Sequence, residues 1–177
     1  MPSILVENKV IAIMGDDLDT DGMYPNRYMS AFAEEEVAKH AFEDTRPDFC
    51  QKARNGGIVI AGRNFGCGSA REQAPSSLKG AGVTLIIARS FSRSFYRNGI
   101  NVGLPLLEIE NLPEDLAKED DVLRVNVSEG TLENLTTGKK LAFDPPAEFL
   151  LNIMQAGGIC NYYTQTNRYK DIENIYR

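Results

Sequence analysis

Two stretches of the chain are continuously apolar: Gly57-Ile58-Val59-Ile60-Ala61 and Val83-Thr84-Leu85-Ile86-Ile87-Ala88. Short apolar runs without alternation are the pattern of strands covered on both faces. They predict strands over 56–62 and 83–88, and Lys9–Gly15 predicts an earlier one. Over 31–43, "AFAEEEVAKHAFE", the residues Phe32, Val37, Ala38, Ala41 and Phe42 fall on one helical face. Further helices are expected through 75–82 and over 90–99, the second stopped by Gly99, followed by a strand-like 103–110. The alternation of strand and helix over 56–110 implies an α/β sheet. Beyond it, 122–127, 131–135 and 139–143 are separated by Ser-Glu-Gly and Thr-Thr-Gly, the signature of a small β-meander. A helix over 145–158 has prolines at its start and glycines at its end. Residues 16–29 form an acidic, turn-rich loop closed by Pro25. With no internal repeat and no linker, 1–177 is expected to be a single domain. Its polar, aromatic end, 160–177, is suited to docking on a partner.

Charge narrows the function. Asp and Glu number 25 against 19 Lys and Arg, a net −6, which argues against a broad nucleic-acid surface. Arg89, Arg93 and Arg97 recur every four residues, and a solvated helix face is favoured over an anion-facing cluster. No apolar run has the length of a membrane span, and the first residues lack the basic segment of a signal peptide; a cytoplasmic protein is expected. Cys50, Cys67 and Cys160 are odd in number and widely spaced, so neither a disulfide framework nor a metal site is expected in this chain. His40 is the single histidine, which leaves little material for His-based metal or triad chemistry.

The densest chemistry lies in Asn64-Phe65-Gly66-Cys67-Gly68-Ser69-Ala70-Arg71-Glu72-Gln73-Ala74-Pro75. A glycine-rich turn between a buried strand and a helix lets a ligand approach the backbone, and the helix start favours anions. Arg71 adds a planar fork suited to a carboxylate or phosphate. The spacing is neither that of a P-loop nor Gly-x-Gly-x-x-Gly, so phosphate binding of those kinds is disfavoured. Ser69 has two readings. Ser69-Ala70-Arg71-Glu72 fits a capping box, with serine only satisfying backbone donors. Alternatively its hydroxyl is a base held in a positive field. Pro75 complicates the first reading, because it falls inside a helix starting at Ser69. Cys67 is a weaker nucleophile candidate for lack of a nearby histidine. The run Asp16-Asp17-Leu18-Asp19-Thr20-Asp21-Gly22 resembles the start of a calcium loop but lacks the later bidentate Glu, so Asx-turns and helix capping account for it better.

Three blocks taken in order carry a resemblance. Asp17-Leu18-Asp19-Thr20-Asp21 with Pro25, Arg27 and Tyr28 is similar to the opening loop of the small subunit of 3-isopropylmalate dehydratase and its relatives. Gly62–Glu72 resembles the signature loop of that family. Ala88, Ser90, Phe91, Arg93, Phe95, Asn98, Asn101, Gly103 and Leu104 resemble its third block, and Ala156-Gly157-Gly158 fits near the end. The resemblance implies the swivelling β/β/α domain of the aconitase superfamily, a three-layer α/β fold with a small added meander. It implies a separate small subunit that works only with a large subunit, as a heterodimer or heterotetramer, with the [4Fe-4S] cluster carried by the large subunit. It implies stereospecific loss and re-addition of water on a 2- or 3-hydroxy acid, with Ser69 as the base and Arg71 as a carboxylate ligand. Gly68, Ala70, Thr20, Asp21, Arg27 and Met29 take the substrate-binding positions. No arginine follows in Tyr28-Met29-Ser30-Ala31-Phe32, where tricarboxylate-using relatives have one. This points to an alkylmalate, with 2-isopropylmalate/3-isopropylmalate isomerisation the leading expectation.

Two positions depart from the family pattern. Ala70 stands where a second serine is usual, and losing one hydrogen bond to a charged group costs about 1.5–3 kcal/mol. Gln73 stands where a histidine is usual. These changes leave open a relative specialised for dimethylmalate, citramalate, maleate or homoaconitate, or a non-catalytic module with the same fold. Self-association of the isolated chain is a further expectation.

Overall fold

The computed structural model describes residues 3–31 and 33–166. Its centre is one seven-stranded sheet in the order β4-β3-β2-β1-β5-β6-β7. The strands are β1 (Leu5–Met14), β2 (Gly57–Ala61), β3 (Val83–Ala88), β4 (Leu106–Glu108), β5 (Val122–Asn126), β6 (Thr131–Asn134) and β7 (Lys140–Ala142). β1 joins two kinds of pairing. Its second half runs parallel to β2, and its first half antiparallel to β5. The expected meander, β5–β7, is therefore an extension of the α/β sheet. The same division explains why β1 starts at Leu5 and not Lys9. Residues 5–9 alternate between exposed and half-buried, whereas Val10 and Ala12 are completely buried. A bulge at Ile11 marks the change, and Ile11 lies over Gly57, where a Cβ would come within 2.4 Å of it.

β2 and β3 are buried as their composition demands. The helix between them, α4 (Gln73–Ala81), follows Glu72 and not Ser69, so the capping-box reading of Ser69 is overturned. The reason is Pro75. In a helix that begins at Gln73 it occupies the first turn, where its missing N–H costs no bond. The next helix, α5 (Arg93–Val102), is capped by Ser92, whose Oγ accepts from Phe95 N at 3.2 Å. Gly99 does not stop it. It lies inside the helix against Leu106, which a Cβ would meet at 2.6 Å, and left-handed Gly103 ends the helix. Arg89 follows β3 and binds the Leu112 carbonyl, so only Arg93 and Arg97 share a helix.

The expected helix over 31–43 is also shorter: α2 is Glu34–Val37, followed by a 3-10 turn over Ala38–His40. Phe42 adopts φ +54, its N–H bonds the Met23 carbonyl at 2.7 Å, and its ring meets Phe49 at 4.7 Å between centroids. Burial of Phe42 overrides the local helical pattern. Phe32 lies outside the described residues. A short α3 (Phe49–Ala53) leads into β2. Near the end, α6 (Glu148–Ala156) and α7 (Ile159–Thr166) pack together, with the Phe149 and Tyr162 rings edge to face. Of the expected docking segment, 160–166 belong to α7 and the remainder lies outside the described residues. Gly103 and Gly157 end α5 and α6 back to back. A Cβ on Gly103 would lie 2.1 Å from the Gly157 carbonyl carbon. Lys79 Nζ donates to the Val102 carbonyl at 2.6 Å and the Gly157 carbonyl at 3.3 Å, one cation serving two helix C-termini.

Candidate active site

Parallel strands β1, β2 and β3 lie side by side, so the loops leaving their C-terminal ends also lie side by side. In open α/β sheets this end is where ligands bind. Backbone bonds join the first two loops: Asp17 N–H to the Arg63 carbonyl at 2.9 Å, Gly66 N–H to Leu18 at 2.8 Å, Thr20 N–H to Cys67 at 3.0 Å. Asp16 Oδ1 accepts from Arg63 N at 2.7 Å, close enough that a Cβ on Gly62 would collide with it. The third loop is tied by Phe65 N–H to the Ser90 carbonyl, Ser92 N–H to the Phe65 carbonyl, and Ser92 Oγ–H to the Gly66 carbonyl at 2.5 Å. Phe65, Phe91 and Phe95 pack beneath as a ring cluster. Gly66 has φ +78, and a Cβ there would lie 2.2 Å from Phe95. The three sequence blocks are thus three adjacent loops of one surface.

The acidic loop folds by capping. Asp19 Oδ1 accepts from Gly22 N at 2.7 Å and starts α1 (Thr20–Met23); a 3-10 turn over Asn26–Tyr28 follows Pro25. This brings Thr20, Asp21, Asn26 and Met29 around Arg71. The Arg71 guanidinium is buried, and it ion-pairs with Asp21 through Nη2. Nη1 donates to Asn26 Oδ1 at 2.8 Å and lies 3.2 Å from Met29 Sδ. Thr20 Oγ1 lies 3.5 Å from Nη2 and donates to the Ser69 carbonyl at 3.0 Å. Nε is buried and has no hydrogen-bond partner among the described residues. A buried donor left unpaired costs about 1–3 kcal/mol, and a carboxylate is the acceptor that would remove that cost.

Gly68, Ser69 and Ala70 are exposed beside this guanidinium, with Gly68 at φ +85. The Ser69 hydroxyl makes no hydrogen bond to a described residue, although its carbonyl accepts from Thr20 and Arg71. Gln73 places its amide 3.5 Å from the Met29 carbonyl, a weak contact. Arg27 is placed elsewhere: it forks onto Asp44 with two bonds of 2.7 Å and reaches Glu43 at 2.9 Å. Sequence reasoning missed Asn26, which lies between Pro25 and Arg27 in the opening block, and missed the acidic pair that holds Arg27.

The thiols do not form a ligand set. Cys67 Sγ faces the Asp17 carbonyl at 3.4 Å, Cys50 sits under the Ala38, Lys39 and Ala41 carbonyls, and Cys160 is exposed on α7. Burial pushes the Cys50 thiol up. Among the described residues no group of three or more His, Cys, Asp or Glu is placed to hold a metal ion. These residues do not fit an iron–sulfur cluster. No helix among them is long and apolar enough to cross a membrane.

Comparison with known proteins agrees with this geometry. The family described as the aconitase C-terminal domain matches residues 8–112, the span that contains all three loops. The small subunit 1 of 3-isopropylmalate dehydratase from Methanopyrus kandleri is 45% identical over 83% of this chain and 86% of its own length. An isopropylmalate/citramalate isomerase small subunit from Methanocaldococcus jannaschii is 47% identical over 84% of this chain and 88% of its own. A methanogen homoaconitase small subunit from Methanothermobacter thermautotrophicus is 45% identical over 86% and 87%. The crystal structure of a 3-isopropylmalate dehydratase from Methanocaldococcus jannaschii superposes with a TM-score of 0.85 at 31% identity, covering 96% of this chain and 99% of that one. The chain belongs to the aconitase C-terminal domain family and, within it, to the small subunits of 3-isopropylmalate dehydratase and its kin.

Proposed function

We propose that this chain is the small subunit of a two-chain hydro-lyase that interconverts hydroxy dicarboxylic acids bearing an alkyl group, with 2-isopropylmalate/3-isopropylmalate the leading pair. The observation that carries the reading is the buried Arg71 with its unpartnered Nε, with the Met29 sulfur against Nη1 and exposed Ser69 linked to the guanidinium through Thr20 Oγ1. Arg71 binds a substrate carboxylate through Nε, the donor that Asn26, Asp21 and Thr20 leave free. The apolar, partly exposed Met29 faces the alkyl substituent. Gly68, exposed and at φ +85, lets the substrate approach the loop backbone. Ser69 Oγ takes the proton from one carbon as hydroxide leaves the neighbouring carbon, giving the alkene; when water adds back in the opposite sense, hydroxide joins the first carbon and Ser69 gives the proton to its neighbour. A serine hydroxyl is a weak acid, so its base form depends on the positive field of Arg71.

The site is an open face, and the [4Fe-4S] cluster of such an enzyme is then the contribution of the large subunit, since the thiols here do not gather. Ala70 presents a methyl where a hydroxyl would add a second polar hold, which suits a substrate read mainly through one carboxylate and its alkyl group. The test is co-expression with the large subunit, anaerobic reconstitution, and turnover of 2-isopropylmalate, citramalate, dimethylmalate, maleate and citrate. Turnover of an alkylmalate above the others is expected. Turnover of citrate alone, or of none by a cluster-loaded complex, would refute the reading.

A further inference from the structure

Met29 owes its place beside Arg71 to the segment Tyr24–Ala31, and that segment is held from outside the site. Glu43 is the point of attachment. Its Oε1 accepts from Arg27 Nη2 at 2.9 Å and from the Tyr28 hydroxyl at 3.0 Å, and its Oε2 lies 2.5 Å from His40 Nδ1. The His40 ring stacks on Tyr28 at 3.5 Å between centroids and 13° between planes, and Nε2 faces Glu36 at 3.2 Å. Hydrogen bonds from His40 and then Arg27 hold the Glu43 carboxyl below its ordinary range. Within the segment, the Tyr24 hydroxyl donates to the Tyr28 carbonyl at 3.1 Å, so the turn moves as a unit. From Tyr28 the next residue is Met29, whose sulfur touches the guanidinium.

We infer that Glu43, with His40 behind it, is a positioning residue for substrate selection: it sets where Met29 stands and so how large an alkyl group fits beside Arg71. The inference rests on the hydro-lyase reading for its substrate consequence but not for the mechanical one. Glu43 touches no substrate. Its loss frees the wall against which the alkyl group packs; Arg71 keeps Asp21 and Thr20, while its contacts to Asn26 and Met29, which lie on the freed segment, loosen with it. Displacing a positioning group by about 1 Å costs up to about a hundredfold. Asp44 still holds Arg27 in this case, so the expected loss is smaller.

Two measurements separate this inference from the function beneath it. In the isolated chain, hydrogen exchange at the amides of Tyr28, Met29 and Ala31, all bonded within the turn, should quicken about tenfold or more in Glu43→Ala. It should quicken less in Tyr28→Phe, which removes one hydroxyl and spares the fold. In the assembled two-chain enzyme, Glu43→Ala should raise KM for 2-isopropylmalate about tenfold with kcat within about threefold, and reduce the preference for isopropyl over methyl. Unchanged exchange in both variants overturns the inference. So does a fall in kcat at constant KM, or a preference that does not move. A wild-type complex inert on every hydroxy acid would sink the proposed function, while the exchange result would still decide whether Glu43 holds the segment.

Discussion

Replacing Arg71 by Lys isolates the fork from the charge. In the resting structure Nη1 is bonded to Asn26, Nη2 is paired with Asp21, and Nε is the unpartnered donor in a buried position. Lys keeps one positive charge but offers a single nitrogen, so at least one charge-assisted bond to a bound carboxylate is lost. Such a bond contributes about 1.5–3 kcal/mol. At 1.36 kcal/mol per decade this is a fall in kcat/KM of about 10- to 150-fold. Folding should also lose the bond to Asn26, about 1.5–3 kcal/mol, offset in part because the substitution removes the buried Nε–H that nothing satisfies; the expected net change is about 1–2 kcal/mol. The assay pairs kcat/KM of the reconstituted complex with urea unfolding of the isolated chain. Unchanged kcat/KM refutes the carboxylate role. A large loss of activity matched by a loss of several kcal/mol in folding would show that Arg71 acts only as a structural tie.

Two further predictions concern stability. Lys79→Met should destabilise the chain by about 1–2 kcal/mol, since the Val102 and Gly157 carbonyls lose their shared cation. The unfolding midpoint should fall by about 2–8 °C, read by circular dichroism. Glu119 accepts from Arg46 at 2.7 Å and 3.1 Å and from Ile13 N on β1, and this holds its carboxyl down to about 2. A carboxyl depressed on folding stabilises above its unfolded pKa, and that contribution is lost as pH falls. The stability gap between wild type and Glu119→Gln should be present at pH 6 and shrink between about pH 5 and pH 2. Because the pair is partly solvated, the gap is expected to be about 1 kcal/mol, and equilibrium unfolding at several pH values measures it.

The parts of the fold that could be read from sequence are those where one physical factor decides. Ile58–Ala61 and Leu85–Ala88 can only be strands covered on both faces, and they are. The departures occur where tertiary contacts compete with local pattern. The run 31–43 has helical spacing, but burying Phe42 against Phe49 breaks it. Gly99 has the look of a helix stop, yet it is a close approach to Leu106, information held about seven residues downstream. The capping box at Ser69 is locally plausible and loses to Pro75. In the site, Ser69, Arg71 and the opening loop were visible as motifs. The Glu43–His40–Tyr28 post was not, because none of its residues is unusual alone and only the turn at Phe42 brings Glu43 back to the 24–31 segment. Arg27 shows the converse case. Its place within a motif suggested a ligand, but Asp44 and Glu43 claim its guanidinium.

The most direct test of the central claim is kcat of the Ser69→Ala complex, measured beside its mass and its cluster absorbance. A positioned general base contributes about 10²–10⁴-fold. The account predicts a fall of at least a hundredfold in kcat, with assembly, cluster content and folding unchanged, because the Ser69 hydroxyl bonds no described residue. A variant that retains a tenth or more of wild-type kcat would contradict it and would place the proton-abstracting group elsewhere.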